Sequence, residues 1–115
     1  MLKNKIKIKF ITADKRGFNI TKKRIVDDMG FDLELVSEKN RLNFLKENFG
    51  FSNLIYMGDG YHDALILKKS MFGIAPKNAR IEAKESADFI TASDSGEGAV
   101  LDACLEIIKV FKVKI

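Results

Sequence analysis

The chain has 115 residues, of which 46% are hydrophobic and 31% charged, so we expect one globular domain over residues 1–115. The net charge of +4 comes from lysines that alternate with apolar residues near both ends, which is typical of an exposed strand face and not of a nucleic-acid interface. No apolar run approaches the roughly 20 residues of a membrane span, and no signal peptide is visible. Because Cys104 is the single cysteine, no internal disulfide is possible, and we expect a cytoplasmic protein. The lysine pattern and the short apolar runs predict that neither nucleic acid nor a membrane is a partner.

The first half of the chain alternates between strand and helix patterns. The second predicted helix begins after Ser37, a good N-cap residue, and ends before Gly50. The predicted elements are a strand over Lys5–Thr12, a helix over Thr21–Met29, a strand over Asp32–Val36 and a helix over Glu38–Asn48.

The second half continues the alternation. Its first strand, Asn53–Met57, is the most apolar short run of the chain, as expected for a strand covered on both faces. The elements that follow are a helix over Tyr61–Lys69, a strand over Phe72–Ala75, a helix over Ala79–Ala87, a strand over Phe89–Ile90 and a helix over Gly96–Phe111. In the last helix the spacing predicts an inward face made of Val100, Leu101, Cys104, Leu105, Ile108 and Phe111.

Five strand–helix repeats predict an α/β fold: a three-layer, Rossmann-like domain with a five-stranded parallel sheet. The order 2-1-3-4-5 is the simplest complete arrangement, and its crevice lies beyond the carboxyl ends of strands one and three. The residues that leave these strands are Thr12 to Asp14 and Gly58 to Gly60. We therefore expect any ligand to bind at these two turns.

The second turn carries two carboxylates, Asp59 and Asp63, four residues apart at the start of a predicted helix. This spacing can project both side chains toward one point, and paired carboxylate oxygens at a strand end suit Mg²⁺. The alternative is that Asp59 caps the helix and Asp63 is solvated, because helix starts favour Asp in any case. The motif alone favours neither interpretation.

The segment Met57 to Asp63 resembles the metal-binding GD(D/G)xxD motif of the haloacid dehalogenase superfamily of phosphatases. The similarity extends to Phe10-Ile11-Thr12 and, downstream, to Gly73-Ile74-Ala75, Ala87 to Thr91 and Gly96 to Val100, which are similar to the capless branch that includes 3-deoxy-D-manno-octulosonate 8-phosphate phosphatase. The resemblance implies Mg²⁺ at Asp59 and Asp63 and a small phosphorylated ligand. It also implies phosphate binding by Thr12 and by Lys39, as well as a homo-oligomer, usually a tetramer.

The sequence departs from this family in one respect that matters for catalysis. Members begin with a strand ending in Asp-x-Asp, which supplies the nucleophile and the acid, and no strand here ends in that pattern. Asp14, just beyond the first predicted strand, is the one candidate to replace the nucleophile, although a loop or cap role is the simpler interpretation.

Three functions remain open from the sequence. The first is a protein that binds Mg²⁺ and a phosphate or phosphorylated ligand without efficient turnover. The second is an active Mg²⁺-dependent phosphomonoesterase that uses Asp14 or a nucleophile strand from another chain. The third is a receiver-like phosphoacceptor at Asp59, which ranks last because the acidic pair after strand one and the lysine after strand five are missing.

Overall fold

Strands and helices alternate along the part of the chain that the structure describes. This computed structural model describes residues 9–12, 32–95 and 97–111, with backbone alone for residues 10, 12 and 32–34. The predicted helix over Thr21–Met29 lies outside these residues. The described elements are β1 (Lys9–Thr12), β2 (Asp32–Leu35), α1 (Arg41–Asn48), β3 (Ile55–Met57), α2 (Ala64–Lys69), β4 (Phe72–Ala75), α3 (Ile81–Ser86), β5 (Phe89–Ile90) and α4 (Ala99–Phe111).

All the described strand pairs are parallel. The chain divides into two compact units, Met1–Phe44 and Leu45–Lys114. In the first unit β1 pairs with β2, and in the second unit β4 lies between β3 and β5. This confirms the predicted α/β architecture with parallel strands. The pairings within each unit agree with the corresponding parts of the order 2-1-3-4-5, and the single five-stranded sheet stays a prediction.

The core of the second unit lies around its central strand, β4. Ile74 and Ala75 of β4 are almost fully buried, as are Ile66 and Leu67 of α2 and Ala83 of α3. Because a central strand of a parallel sheet is covered on both faces, it needs apolar side chains in succession. The two helices are the crossovers that join β3 to β4 and β4 to β5, so they cover the sheet that they connect.

Gly73 permits a close approach between β4 and α2. A β-carbon at this position would lie 2.8 Å from the backbone oxygen of Leu67 and 3.1 Å from Leu67 Cδ2. The absence of a side chain therefore lets the end of the helix rest directly on the strand. The neighbouring backbone is also held by Asp88, whose Oδ2 accepts a hydrogen bond from the Gly73 N–H at 2.8 Å.

Two strands are shorter than predicted, since β2 ends at Leu35 and not Val36 and β3 begins at Ile55 and not Asn53, and the helix ends differ as well. β4 and β5 have the predicted bounds. The helix predicted from Glu38 begins at Arg41, after a turn in which the Asn40 N–H donates to Ser37 Oγ at 3.3 Å. Gly50 ends this segment with a φ of 73°, a conformation that favours glycine.

The predicted inward face of α4 is wrong in part. Ala99 and Ala103 are the buried residues of this helix, whereas Val100, Leu101 and Leu105 are more than half exposed. Two small side chains one turn apart let the helix backbone pack closely against the residues beneath it. The large apolar side chains beside them then face outward. Phe111 is 36% exposed, although its ring meets Phe72 edge to face at 5.6 Å. Within the described ranges, no helix is long and apolar enough to cross a membrane.

Candidate metal-binding turn

The turn after β3 lies at the carboxyl end of the second unit's parallel sheet. β3 ends at Met57, Gly58 to Gly60 form the turn, and a short 3₁₀ helix over Tyr61–Asp63 leads into α2. The Gly58 N–H donates to the Ile74 carbonyl at 3.1 Å, which continues the strand pairing to the first residue of the turn. The acidic segment therefore starts from a fixed point on the sheet.

Asp63 is buried, with 4% of its surface exposed, and its carboxylate is fully engaged in the turn. Oδ1 accepts a hydrogen bond from the Tyr56 hydroxyl at 2.5 Å. Oδ2 accepts from the backbone N–H of Asp59 at 3.0 Å and of Gly60 at 2.9 Å. The bond to Gly60 is half of a capping box, because a residue in the first helical turn reaches back to the N-cap amide. Three donors thus compensate the cost of burying this carboxylate.

Gly58 makes room for this arrangement. A β-carbon at Gly58 would lie 2.5 Å from Asp63 Cγ, 2.7 Å from Asp63 Cβ and 2.8 Å from Asp63 Oδ2. These distances are shorter than real β-carbons tolerate, and the obstructing atoms belong to a side chain that three hydrogen bonds hold in place. A glycine at position 58 is therefore a requirement of the buried Asp63 carboxylate.

Asp59 differs from Asp63 in the exposure and in the hydrogen bonding of its carboxylate. Its backbone is held on both sides, since its N–H donates to Asp63 Oδ2 and its carbonyl accepts from the Arg80 N–H at 2.9 Å. Its side chain is exposed. Among the residues that the structure describes, no hydrogen bond or ion pair engages the Asp59 carboxylate. The turn thus presents one carboxylate with free oxygens on a restrained backbone.

The loops that follow β4 and β5 are tied to each other on the same edge of this sheet. The Lys77 N–H donates to the Ser93 carbonyl at 3.3 Å, and the Ser95 N–H donates to Asn78 Oδ1 at 2.8 Å. Together with the bond from Arg80 to Asp59, these contacts join the turns after β3, β4 and β5 into one rim. A ligand at Asp59 would therefore lie beside three turns that are hydrogen-bonded to one another.

Two exposed aromatic residues flank the acidic pair. Tyr61 and His62 lie in the 3₁₀ helix between Asp59 and Asp63, with their rings edge to face at 5.6 Å. Both are exposed, which agrees with the sequence-based interpretation of His62 as a surface residue. Both rings therefore lie on the exposed side of the segment that joins Asp59 to Asp63.

The structure brings together the two residues predicted to bind metal and says less about the other predicted site residues. Asp59 and Asp63 share one turn through the bond between the Asp59 N–H and Asp63 Oδ2. Thr12 is the last residue of β1, opposite Leu35 of β2, and its side chain is not described. Lys39 is exposed in the turn before α1, in the first unit. Asp14 lies outside the described residues.

Tyr56, the partner of Asp63, was not predicted as a site residue, because it lies within the apolar run before the turn. The signal was present, because a tyrosine in a strand buried on both faces must find a partner for its hydroxyl. The nearest acidic residues along the chain, Asp59 and Asp63, were the candidates.

The donor set of the turn fits Mg²⁺. This ion prefers oxygen ligands and usually combines one or two carboxylates with water and phosphate oxygens. Among the described residues, no group of three or more His, Cys, Asp and Glu side chains is placed to hold a metal ion. A cation at Asp59 would therefore need water or a ligand to complete its coordination, which suits Mg²⁺ better than a metal that requires several protein ligands.

A parallel α/β sheet with an acidic turn at its carboxyl edge is typical of Rossmann-like folds. Residues 36–103, more than half of the chain, match the haloacid dehalogenase-like hydrolase family. The chain belongs to this family, and the resemblance inferred from the sequence motifs is confirmed.

Relatives with curated names are phosphoglycolate phosphatases of archaea. That of Archaeoglobus fulgidus is 37% identical over 79 residues, which cover 64% of this chain and 35% of that protein. That of Methanosarcina acetivorans is 30% identical over 104 residues, which cover 76% of this chain and 46% of that protein. The chain thus spans less than half the length of these two relatives.

Solved structures show the same fold at low sequence identity. 3-Deoxy-D-manno-octulosonate 8-phosphate phosphatase from Moraxella catarrhalis, crystallised with a magnesium ion, a phosphate ion and KDO, has a TM-score of 0.77 and 24% identity, over 94% of this chain and 63% of that chain. The cobalt-bound enzyme of Haemophilus influenzae has a TM-score of 0.72 and 18% identity, over 94% of this chain and 64% of that chain. At these identities the likeness supports the fold and not a shared substrate.

Proposed function

We propose that this chain binds Mg²⁺ at the turn of Asp59 and Asp63, together with a phosphate or phosphorylated ligand, without efficient turnover. The observation that carries the proposal is the exposed Asp59 carboxylate, which has no protein partner among the described residues although its backbone is held on both sides. A bound Mg²⁺ would supply positive charge to phosphate oxygens. The restrained turn keeps the carboxylate available before any ligand arrives.

The proposal of weak or absent turnover rests on the sequence. Phosphoryl transfer needs a positioned nucleophile and an acid for the leaving group. No Asp-x-Asp pair occurs anywhere in the chain. The residues of the turn can bind and orient an anion through a cation, but neither Tyr56 nor Asp63 is available as a nucleophile, since they are buried against each other.

We further propose that Thr12 and Lys39 hold the phosphate. This proposal requires one five-stranded sheet in the order 2-1-3-4-5, whereas the described pairings are β1 with β2 and, separately, β3 with β4 and β5. In that order the turns after β1 and β3 are neighbours at one edge. A hydroxyl and an ammonium group are suitable donors to phosphate oxygens. From the family resemblance, which implies a tetramer, we also propose a cytoplasmic homo-oligomer.

The alternative function is an active Mg²⁺-dependent phosphomonoesterase. The names of the curated relatives, all phosphatases of phosphoglycolate, favour it. It would need Asp14, or a nucleophile strand contributed by another chain, to attack phosphorus. Both functions share the cation at Asp59 and differ only in whether a covalent step follows.

Titration calorimetry with Mg²⁺ tests the shared part. We expect Mg²⁺ to bind the wild-type chain and to bind Asp59→Asn more than about tenfold more weakly. Even the replacement of a residue that only hydrogen-bonds to a metal ligand lowers metal affinity by about 10- to 100-fold. Glu85→Gln, an exposed carboxylate on α3, is the matched control and should bind as the wild type does. Equal affinity in all three chains would rule out Asp59 as a ligand.

Hydrolysis of an aryl phosphate in the presence of Mg²⁺ separates the two functions. The non-catalytic proposal predicts no turnover above the rate of the Asp59→Asn variant. Turnover in the wild type that disappears in both Asp59→Asn and Asp14→Asn would establish the alternative. In that case Asp14 would be the nucleophile.

A further inference from the structure

The two acidic residues of the turn perform different tasks. We infer that Asp63 acts as a hydrogen-bond clamp that holds the turn, that Tyr56 positions this clamp from β3, and that Asp59 alone supplies the carboxylate ligand to the cation. This inference deepens the proposed Mg²⁺ site and rests on it. It assigns to Tyr56 a positioning role that neither the motif nor the fold indicates.

The hydrogen bonds of Asp63 carry the first step. Its Oδ2 accepts from two successive backbone amides, those of Asp59 and Gly60, at 3.0 and 2.9 Å. A cation that bound Oδ2 directly would compete with both N–H groups and leave these donors without an acceptor, which is unfavourable in a buried position. Asp59 offers exposed oxygens that carry no such cost.

Burial and packing carry the second step. Asp63 is 4% exposed, and its Cγ, Cβ and Oδ2 lie against the α-carbon of Gly58, with no space for a β-carbon between them. On the side of Gly58 the carboxylate therefore has no room to move without displacing the strand end. Its remaining freedom is rotation about its own bonds, and the hydrogen bond from Tyr56 to Oδ1 restrains that rotation.

The position of Tyr56 carries the third step. Tyr56 lies in the middle of β3, is itself buried, and pairs across the sheet with Gly73 of β4. Its hydroxyl thus projects from a buried residue of a paired strand. Because one carboxylate links Tyr56 to the amides of Asp59 and Gly60, the sheet fixes the backbone that aims the Asp59 side chain.

Replacement of the Asp63 carboxylate by an amide separates a clamp from a ligand. In Asp63→Asn the amide oxygen can still accept from both backbone N–H groups, and the amide nitrogen can donate to the Tyr56 oxygen. A clamp would survive this change, whereas a charged metal ligand would not. Asp63→Ala removes the acceptor altogether, and Tyr56→Phe removes only the donor to Oδ1.

The experiment combines Mg²⁺ titration with amide hydrogen exchange of the metal-free chain. We expect Asp63→Asn to lose less than about tenfold in Mg²⁺ affinity and to retain protection of the Asp59 and Gly60 amides. Tyr56→Phe should lose about tenfold, and Asp63→Ala up to about 100-fold, each with faster exchange of both amides. Tyr61→Phe, an exposed tyrosine of the same segment, is the matched control and should change neither measurement.

Each contrary result has one meaning. If Asp63→Asn loses as much affinity as Asp59→Asn while both amides stay protected, Asp63 is a ligand and the inference is wrong. If Tyr56→Phe behaves as Tyr61→Phe does, Tyr56 is not a positioning residue. If the wild type binds no Mg²⁺, the proposed function fails, and the exchange rates of Asp63→Asn and Tyr56→Phe still decide whether the clamp exists. Should Asp63→Ala not fold, those two variants complete the test.

Discussion

The carboxylate of Asp102, in the first turn of α4, accepts a hydrogen bond from the backbone N–H of Ser93 at 3.0 Å. Ser93 lies in the loop after β5, and its carbonyl accepts from the Thr91 hydroxyl at 2.6 Å and from the Lys77 N–H at 3.3 Å. One side chain of α4 therefore restrains the residue through which the loops after β4 and β5 are joined. The rim beside the acidic turn depends on this contact.

Replacement of Asp102 should loosen that rim. In Asp102→Ala the Ser93 N–H loses a charged acceptor in a partly buried position, so we expect the free energy of unfolding to fall by about 1.5 kcal/mol. The Ser93 amide should also exchange faster. Asp102→Asn keeps an acceptor oxygen and should lose less.

Asp94→Ala is the control for this prediction, because Asp94 is an exposed residue of the same loop. Urea denaturation gives the difference in stability between the variants, and amide exchange locates it. An Asp102→Ala variant that is as stable as Asp94→Ala would show that the hydrogen bond contributes nothing net.

The space at Gly58 leads to a second prediction. Gly58→Ala would place a methyl group 2.5 Å from Asp63 Cγ, so either the carboxylate or the strand end must move. We expect a loss of about 1–3 kcal/mol in the free energy of unfolding, as for other overpacked sites, and a weaker Mg²⁺ affinity. Gly60→Ala is the matched control two residues away, since a β-carbon there would meet Asp63 Oδ2 at an ordinary 3.5 Å, with a φ of −103°. Thermal unfolding and Mg²⁺ titration of both variants check the contrast.

The strands of the second unit were predictable because their signals are local. Phe72–Ala75 is an apolar run that ends at a proline, and Phe89–Ile90 is a short apolar pair between polar residues. Such punctuation depends on neighbours along the chain and needs no knowledge of the packing. The acidic motif at Asp59 and Asp63 was visible for the same reason.

The different hydrogen bonding of Asp59 and Asp63 was not predictable, because it depends on contacts across space. Spacing alone placed both carboxylates at one point, and it did not indicate that a tyrosine seven residues before Asp63 would take one of its oxygens. The two backbone amides that take the other oxygen carry no side-chain signal at all. The helix start shifted for this reason, since Tyr61–Asp63 forms a 3₁₀ turn that returns Asp63 toward Gly60.

The thiol of Cys104 should react slowly in the folded chain. Partial burial raises the pKa of Cys104 above its ordinary value, because desolvation penalises the thiolate. At a pH of about 8 the folded chain therefore contains less thiolate than the unfolded chain, and alkylation by iodoacetamide should be slower. Alkylation rates measured against pH, with and without urea, give the direction of the shift.

The raised pKa of Cys104 also makes the stability of the folded chain depend on pH. The folded chain holds the thiol proton more tightly than the unfolded chain, so the contribution of this group is fully present below the ordinary thiol pKa of about 8.5 and is lost as the pH rises through the folded pKa. Cys104→Ala should lose less stability on going to alkaline pH than the wild type does. Identical pH profiles of unfolding in the two chains would contradict the raised pKa.

The orientation of α4 gives the last prediction. The sequence pattern predicted that the large apolar residues of this helix, such as Leu101, face inward. In the structure the small residues Ala99 and Ala103 are buried instead. Periodicity identifies an apolar stripe, but the distance between helix and sheet decides whether large or small side chains fit beneath it. Leu101, 62% exposed, should tolerate replacement by Lys with a change of less than about 0.5 kcal/mol.

Ala103→Leu is the opposite test, because Ala103 is 4% exposed and has no room for three more carbons. We expect it to lose about 1–3 kcal/mol in the free energy of unfolding through overpacking. Urea denaturation of both variants decides the orientation. If Leu101→Lys proves the costly change and Ala103→Leu the neutral one, the helix presents its bulky stripe to the core as the sequence pattern first indicated.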